Sequence, residues 1–151
     1  MEYSIVDSEV NDGWIGAHTH LWTSYTTHFP ITNWAKPTDM QSGSFTASDW
    51  QKVARPAGVI KAVLVQHSPL YGYDNSYLLD CLCRNPGVFS LIARADEGLP
   101  DLGQRVRHLR ESGVRGLRIS PTIHSDRTPV KDPPNWLKAE QMRNLWTVAS
   151  N

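Results

Sequence analysis

His18 and His20 are one residue apart inside the apolar run from Trp14 to Trp22. On a strand, residues two apart project from the same face, so the two imidazoles point together. Converging imidazoles suit one divalent ion, and zinc, manganese or iron accepts such nitrogen ligands. The competing reading is two strand histidines satisfied by hydrogen bonds. A buried strand favours the metal, because two unpaired imidazoles inside it would be costly polar groups. The pair names a metal site but not a reaction, and it supplies two ligands only.

A second candidate is Arg118, in the run Val114 to Ser120. If Leu117 and Ile119 pack outward against helices, Arg118 points to the opposite face, where a guanidinium can grip a carboxylate bidentately. The alternative is an arginine paired with a core acid, since buried charges need partners either way. Arg115 has the opposite parity and reads as structural. Gln66 and His67 end the apolar run that begins at Val59 and are candidates for substrate contacts, with His67 also an accessory ligand or a cap for the next segment. Trp22, with Tyr25, Phe29 and Trp34, either lines a substrate mouth or packs a long loop. His28, His108 and His124 read as surface residues. Asp74 and Asn75 sit where a helix begins, so capping is the better explanation for them than acid–base work.

The elements that must position these residues follow a strand-then-helix rhythm. Strands are expected over Trp14–Trp22, Val59–His67, Val88–Ala95 and Val114–Ser120. The continuous apolar centre Ala62-Val63-Leu64-Val65 suits a strand buried on both faces of a parallel sheet. Helices are expected after Thr46, from about Asp74 to Arg84, from Asp101 to Gly113, and over about Lys138–Ala149. In the third of these, Leu102, Val106 and Leu109 form one apolar stripe, which leaves Arg105, Arg107 and Arg110 on a solvated face. Long loops, Thr23–Gly43 and the proline-rich Pro121–Trp136, separate the units. Strands alternating with helices imply parallel pairing through right-handed crossovers. Four such units make an α/β protein with half of a (β/α)8 barrel, since a complete one needs about 250 residues. The 151 residues are read as a single portion of such a barrel, its first four βα units.

Composition narrows the partners. A chain 40% hydrophobic and 20% charged is globular in character, and its formal net charge of zero gives no electrostatic reason to expect nucleic acid or an acidic membrane. No run approaches the length of a membrane span, and Met1–Asp12 lacks the apolar core of a signal peptide, so a cytoplasmic location is expected. Cys81 and Cys83 are read as reduced core thiols, being poorly placed to pair with each other.

The phrase Gly16-Ala17-His18-Thr19-His20-Leu21-Trp22 resembles the opening strand of the amidohydrolase superfamily, and more narrowly its amidohydrolase-2 group of metal-dependent hydrolases, which includes sugar-lactone and pyrone-dicarboxylate lactone hydrolases. Val63-Leu64-Val65-Gln66-His67 followed by Tyr73-Asp74-Asn75-Ser76-Tyr77-Leu78-Leu79 resembles the second strand and helix of that group. Gly113-Val114-Arg115-Gly116-Leu117-Arg118 resembles the fourth strand, and Leu145-Trp146 with Val148-Ala149 the helix after it. PHP-type phosphoesterases and TatD-like nucleases also begin with His-x-His, and the later phrases separate the chain from them.

The resemblance implies a hydrolase of lactones or similar cyclic esters, with His18 and His20 holding zinc or manganese and Arg118, Gln66, His67 and Trp22 facing a small-molecule substrate. The general-base Asp and further ligands of the group belong to later strands, beyond residue 151, so the chain by itself is expected to be inactive. Two alternatives stand beside this. One is an amidohydrolase-type decarboxylase fragment. The other is an inactive half-barrel that binds a partner or self-associates as a homodimer, covering sheet edges that would otherwise aggregate.

Overall fold

The computed structural model describes residues 12–33, 35, 43–120 and 137–150. Strands β1 (Trp14–Thr19), β2 (Val59–Val65), β3 (Phe89–Ala93) and β4 (Gly116–Leu117) form one four-stranded sheet in the order β1-β2-β3-β4, every pair parallel. Helices α1 (Ala47–Ala54), α2 (Ser68–Tyr71), α3 (Ser76–Arg84), α4 (Leu102–Glu111) and α5 (Glu140–Ala149) lie between and after them. Sequential neighbours joined through helices are the pattern of a (β/α)8 barrel, and four consecutive units of one are present.

Local chemistry explains where the elements begin and end. Thr46 caps α1 with a reciprocal box: its hydroxyl accepts from the Asp49 N–H while the Asp49 carboxylate accepts from the Thr46 N–H. A turn of 3-10 helix, Arg55–Ala57, carries α1 to Gly58, whose φ of 76° is the left-handed conformation that lets the chain reverse into β2. Gly116 is needed for closeness: a Cβ there would stand 2.9 Å from the Ile92 Cδ1 on the neighbouring strand.

The core lies between the sheet and α1, α3 and α4. Leu64 and Leu91 from the sheet and Leu78 from α3 are essentially sealed from solvent, each contributing about 1.5–3 kcal/mol by burial. Trp50 of α1 meets Phe89 of β3 edge-on with ring centroids 5.1 Å apart. Leu102 and Leu109 are buried along α4 and Val106 packs against the same cluster, as the stripe in the sequence requires, while Arg105, Arg107 and Arg110 face solvent.

Several expectations are corrected. β1 is not a buried strand. It pairs only with β2, and Trp14 and Ile15 are 76% and 61% exposed because, among the described residues, nothing lies on its other edge. It also ends at Thr19, one residue before His20. β2 stops at Val65 because His67 already precedes the short helix α2, an element with no distinct signal in the sequence. β4 is two residues long, not seven. Cys81 is a buried thiol, but Cys83, two residues on and on the other side of α3, is exposed and so is not a core residue. Asn75 does not cap α3 with its side chain; it braces the end of β3, accepting from the Arg94 N–H and donating to the Arg94 carbonyl. Asp74 accepts from the Ser76 N–H at the helix start. Trp34, His124 and the proline-rich stretch 121–136 lie outside the described residues.

Candidate functional site

Val65 and Gln66, at the C-terminal end of β2, organise the site through consecutive carbonyls. The Val65 carbonyl accepts from His20 Nδ1 at 2.8 Å, reaching towards β1. The Gln66 carbonyl accepts from Arg118 Nη1 at 2.9 Å, reaching past β3 to β4. Successive carbonyls of a strand point to opposite neighbours, so one strand end draws an imidazole from one side and a guanidinium from the other.

The bond to Val65 fixes the His20 tautomer. A ring nitrogen facing a carbonyl must carry the proton, so Nδ1 is the donor and Nε2 keeps its lone pair. His18 Nε2 stands 3.2 Å from that Nε2, with the rings edge-to-face. In this state His18 Nε2–H donates to His20 Nε2; two nitrogens bound tetrahedrally at about 2.0–2.1 Å to one zinc ion lie roughly 3.3 Å apart, so the pair has a chelate's spacing once that hydrogen is displaced. Desolvation by burial lowers the His20 pKa below the usual histidine value, and the neighbouring His18 and Arg118 lower it further, despite the opposing bond to Val65. A neutral imidazole is the form that ligates a metal. His18 is exposed and His20 half-buried, so the pair opens to solvent. Among the described residues no cluster of three or more His, Cys, Asp and Glu side chains surrounds a common point.

His67 stacks on His20 with ring centroids 4.7 Å apart and planes 18° from parallel. Trp22 tilts against His67 at 6.0 Å and against Phe45 at 5.5 Å, anchored by a two-way backbone bridge between Trp22 and Phe45. Both rings therefore build one wall beside the imidazole pair. The buried Trp22 Nε1 has no hydrogen-bond partner among the described residues. Gln66 joins the site through its backbone alone. Its side chain is 0% exposed, with Nε2 donating to the Gly72 and Asp74 carbonyls and Oε1 accepting from the Ser68 hydroxyl. That amide holds the loop carrying α2 and is closed to a substrate.

Arg118 is partly buried, and desolvation lowers its pKa, helped by the charge of Arg94 nearby. Arg94 is a functional candidate that reading the sequence missed. It follows the last residue of β3, is 5% exposed, and lays its guanidinium over the Tyr73 ring at 4.8 Å. Glu97 lies in the same cluster, its carboxyl pushed above the usual range by burial; burial also pushes the Tyr73 hydroxyl up to about 12. The available signal was parity within the expected strand Val88–Ala95, where Arg94 is opposite to Leu91, Ala93 and Ala95, as Arg118 is opposite to Leu117 and Ile119. Arg118 is the guanidinium whose charge reaches His20, whereas Arg94 is buried against Tyr73 and Glu97 in a cavity shared with α4. His28 stacks on Tyr25 in the exposed first loop, and His108, exposed on α4, lines the same cavity as Arg94 and Tyr73.

No protein-family model matches the chain, and no curated protein matches it. Solved structures do. The chain is similar to a protein from Pseudomonas putida assigned as a 2-pyrone-4,6-dicarboxylic acid hydrolase, with a TM-score of 0.64 and 21% identity, over 91% of this chain and 44% of that one. A protein from Acinetobacter baumannii with the same assignment, solved with citric acid bound, matches with a TM-score of 0.65 and 15% identity over 91% and 45%. An amidohydrolase from Burkholderia multivorans with bound HEPES matches at 0.61 and 16% over 85% and 42%. The chain therefore shares its fold with part of each of these structures, and it spans about 44% of the length of the P. putida structure.

Proposed function

We propose that this chain carries the metal-binding and anion-binding portion of an amidohydrolase-type enzyme that hydrolyses a carboxylate-bearing lactone or similar cyclic ester. The observation that carries the reading is the His18–His20 pair. Its Nε2 atoms are 3.2 Å apart, and the Val65 carbonyl holds His20 with its Nε2 lone pair turned towards His18, where a metal ion would displace the hydrogen shared between the two rings. Imidazole nitrogens at that separation fit zinc or manganese, which when bound would polarise a substrate carbonyl or lower the pKa of a water. The chain's own residues do the rest of the binding. Arg118, held by the Gln66 carbonyl, offers its guanidinium to a carboxylate. Trp22 and His67 form an aromatic wall against which a flat ring can lie. That the A. baumannii neighbour holds citric acid, itself a tricarboxylate, supports the anionic part of the reading.

Binding tests this directly. Zinc titrated calorimetrically into the purified chain is expected to bind at one site, with affinity falling at least tenfold in the His18→Ala/His20→Ala variant. Citrate binding is expected to weaken tenfold or more in Arg118→Gln, a loss of about 1.4 kcal/mol. Unchanged affinities in both variants would remove the assignment.

A further inference from the structure

The loops after β2 and β3, together with α4, surround a cavity of about 360 Å³. β2 and β3 are the inner strands of the sheet, each paired on both edges, and every residue lining the cavity lies between Tyr73 and Leu109. Sites for small molecules occupy roughly 300–1,000 Å³, so this one suits a compact ligand. Ala95, Leu99 and Leu109 supply apolar lining. Arg94, only 5% exposed, supplies a buried charge. Its backbone is clamped by the Asn75 amide, which accepts from its N–H at 2.9 Å and donates to its carbonyl at 2.8 Å, and its guanidinium rests over the Tyr73 ring.

The remaining polar groups show what the cavity can still bind. Both oxygens of Asp101 accept from Arg105 Nε at 3.0 Å, and Asp96 accepts from the Gly98 N–H. The two terminal nitrogens of Arg105 keep their hydrogens uncommitted among the described residues, and so do the side chains of Gln104 and His108 beside it on α4. Arg94 and Arg105 set against Asp96 and Asp101 make the lining formally neutral before His108 is counted. Burial also drives the nearby Glu97 carboxyl towards its uncharged form. A polyanion gains little in such a balance. A single carboxylate on an apolar body matches both a guanidinium with two parallel donors and the leucine side chains.

We propose that this cavity is a second ligand site, taking a small monocarboxylate whose charged end is gripped by Arg105 and whose apolar body lies against Leu99 and Leu109. It is separate from the imidazole pair, since none of His18, His20, Trp22, His67 or Arg118 lines it.

Benzoate titrated into the ¹⁵N-labelled full chain tests the proposal by NMR. Amide shifts are expected at 73–75, 94–99 and 101–109. Arg105→Gln is expected to weaken binding about tenfold or more, and Gln104→Trp to block it by filling the cavity; both side chains are exposed, so neither change disturbs the core. Inorganic phosphate is expected to bind at least tenfold more weakly than benzoate. Arg118→Gln should leave benzoate affinity unchanged, and Arg105→Gln should leave zinc affinity unchanged, which separates this site from the one at His18 and His20. No shift at these positions with benzoate in large excess would overturn the proposal. So would shifts centred on 18–22 and 65–67, an affinity that survives both α4 substitutions, or phosphate binding as tightly as benzoate.

Discussion

Replacing Gln66 with leucine probes the brace on which the site depends. The side chain is fully buried and makes three hydrogen bonds: two donated to the Gly72 and Asp74 carbonyls at 2.7 and 3.2 Å, and one accepted from the Ser68 hydroxyl at 2.8 Å. Leucine is of similar volume and removes all three without opening a cavity. A typical net contribution is about 1 kcal/mol per hydrogen bond, and the added apolar burial returns roughly 1 kcal/mol. The expected loss is therefore about 2 kcal/mol. At roughly 2–4 °C per kcal/mol for a protein of this size, Tm should fall by about 4–8 °C. Scanning calorimetry measures the fall, and hydrogen exchange should show faster opening at 68–75, the segment left unbraced. Because the Val65 and Gln66 carbonyls that hold His20 and Arg118 adjoin that segment, zinc affinity should weaken as well. An unchanged Tm with unchanged exchange at 68–75 would refute the bracing role.

The core and the charged cluster give two further expectations. Leu91→Ala, at a side chain with 0% exposure in the middle of the sheet, should destabilise by about 2–5 kcal/mol by chemical denaturation; a loss below about 1 kcal/mol would mean that the site is not closely packed. Glu97 has its pKa raised in the folded state, chiefly by burial, so the folded protein favours its protonated form. Its contribution is then fully present below the unfolded-state value of about 4.3 and is lost as pH rises through the folded pKa. Glu97→Gln should accordingly raise Tm at neutral pH relative to wild type and leave it nearly unchanged at pH near 4. Equal shifts at both pH values would contradict the burial effect.

Much of this fold was legible in the sequence because helices announce their ends chemically. Thr46 and Gly113 marked boundaries that the structure keeps, and the spacing of Leu102, Val106 and Leu109 identified the buried face of α4. The burial of β1 was not legible. Its apolar residues of both parities describe the strand's complete surroundings, whereas exposure depends on which neighbour is present. Parity alone likewise could not separate Gln66 from Arg118. Both lie at strand ends, but the Gln66 side chain turns inward to carbonyls brought close by α2, a four-residue helix too short to carry a periodic signal. Arg94 escaped notice although the same reasoning that selected Arg118 applies to it.

The most direct test of the metal-site reading is long-range ¹H–¹⁵N NMR of the histidine rings during zinc titration. In the free protein His20 should appear as the neutral tautomer protonated at Nδ1, as its bond to Val65 requires. On adding zinc, the Nε2 resonances of His18 and His20 should shift together while the His20 Nδ1 proton remains. Ring resonances of both residues that do not move at saturating zinc, or a His20 protonated at Nε2, would contradict it.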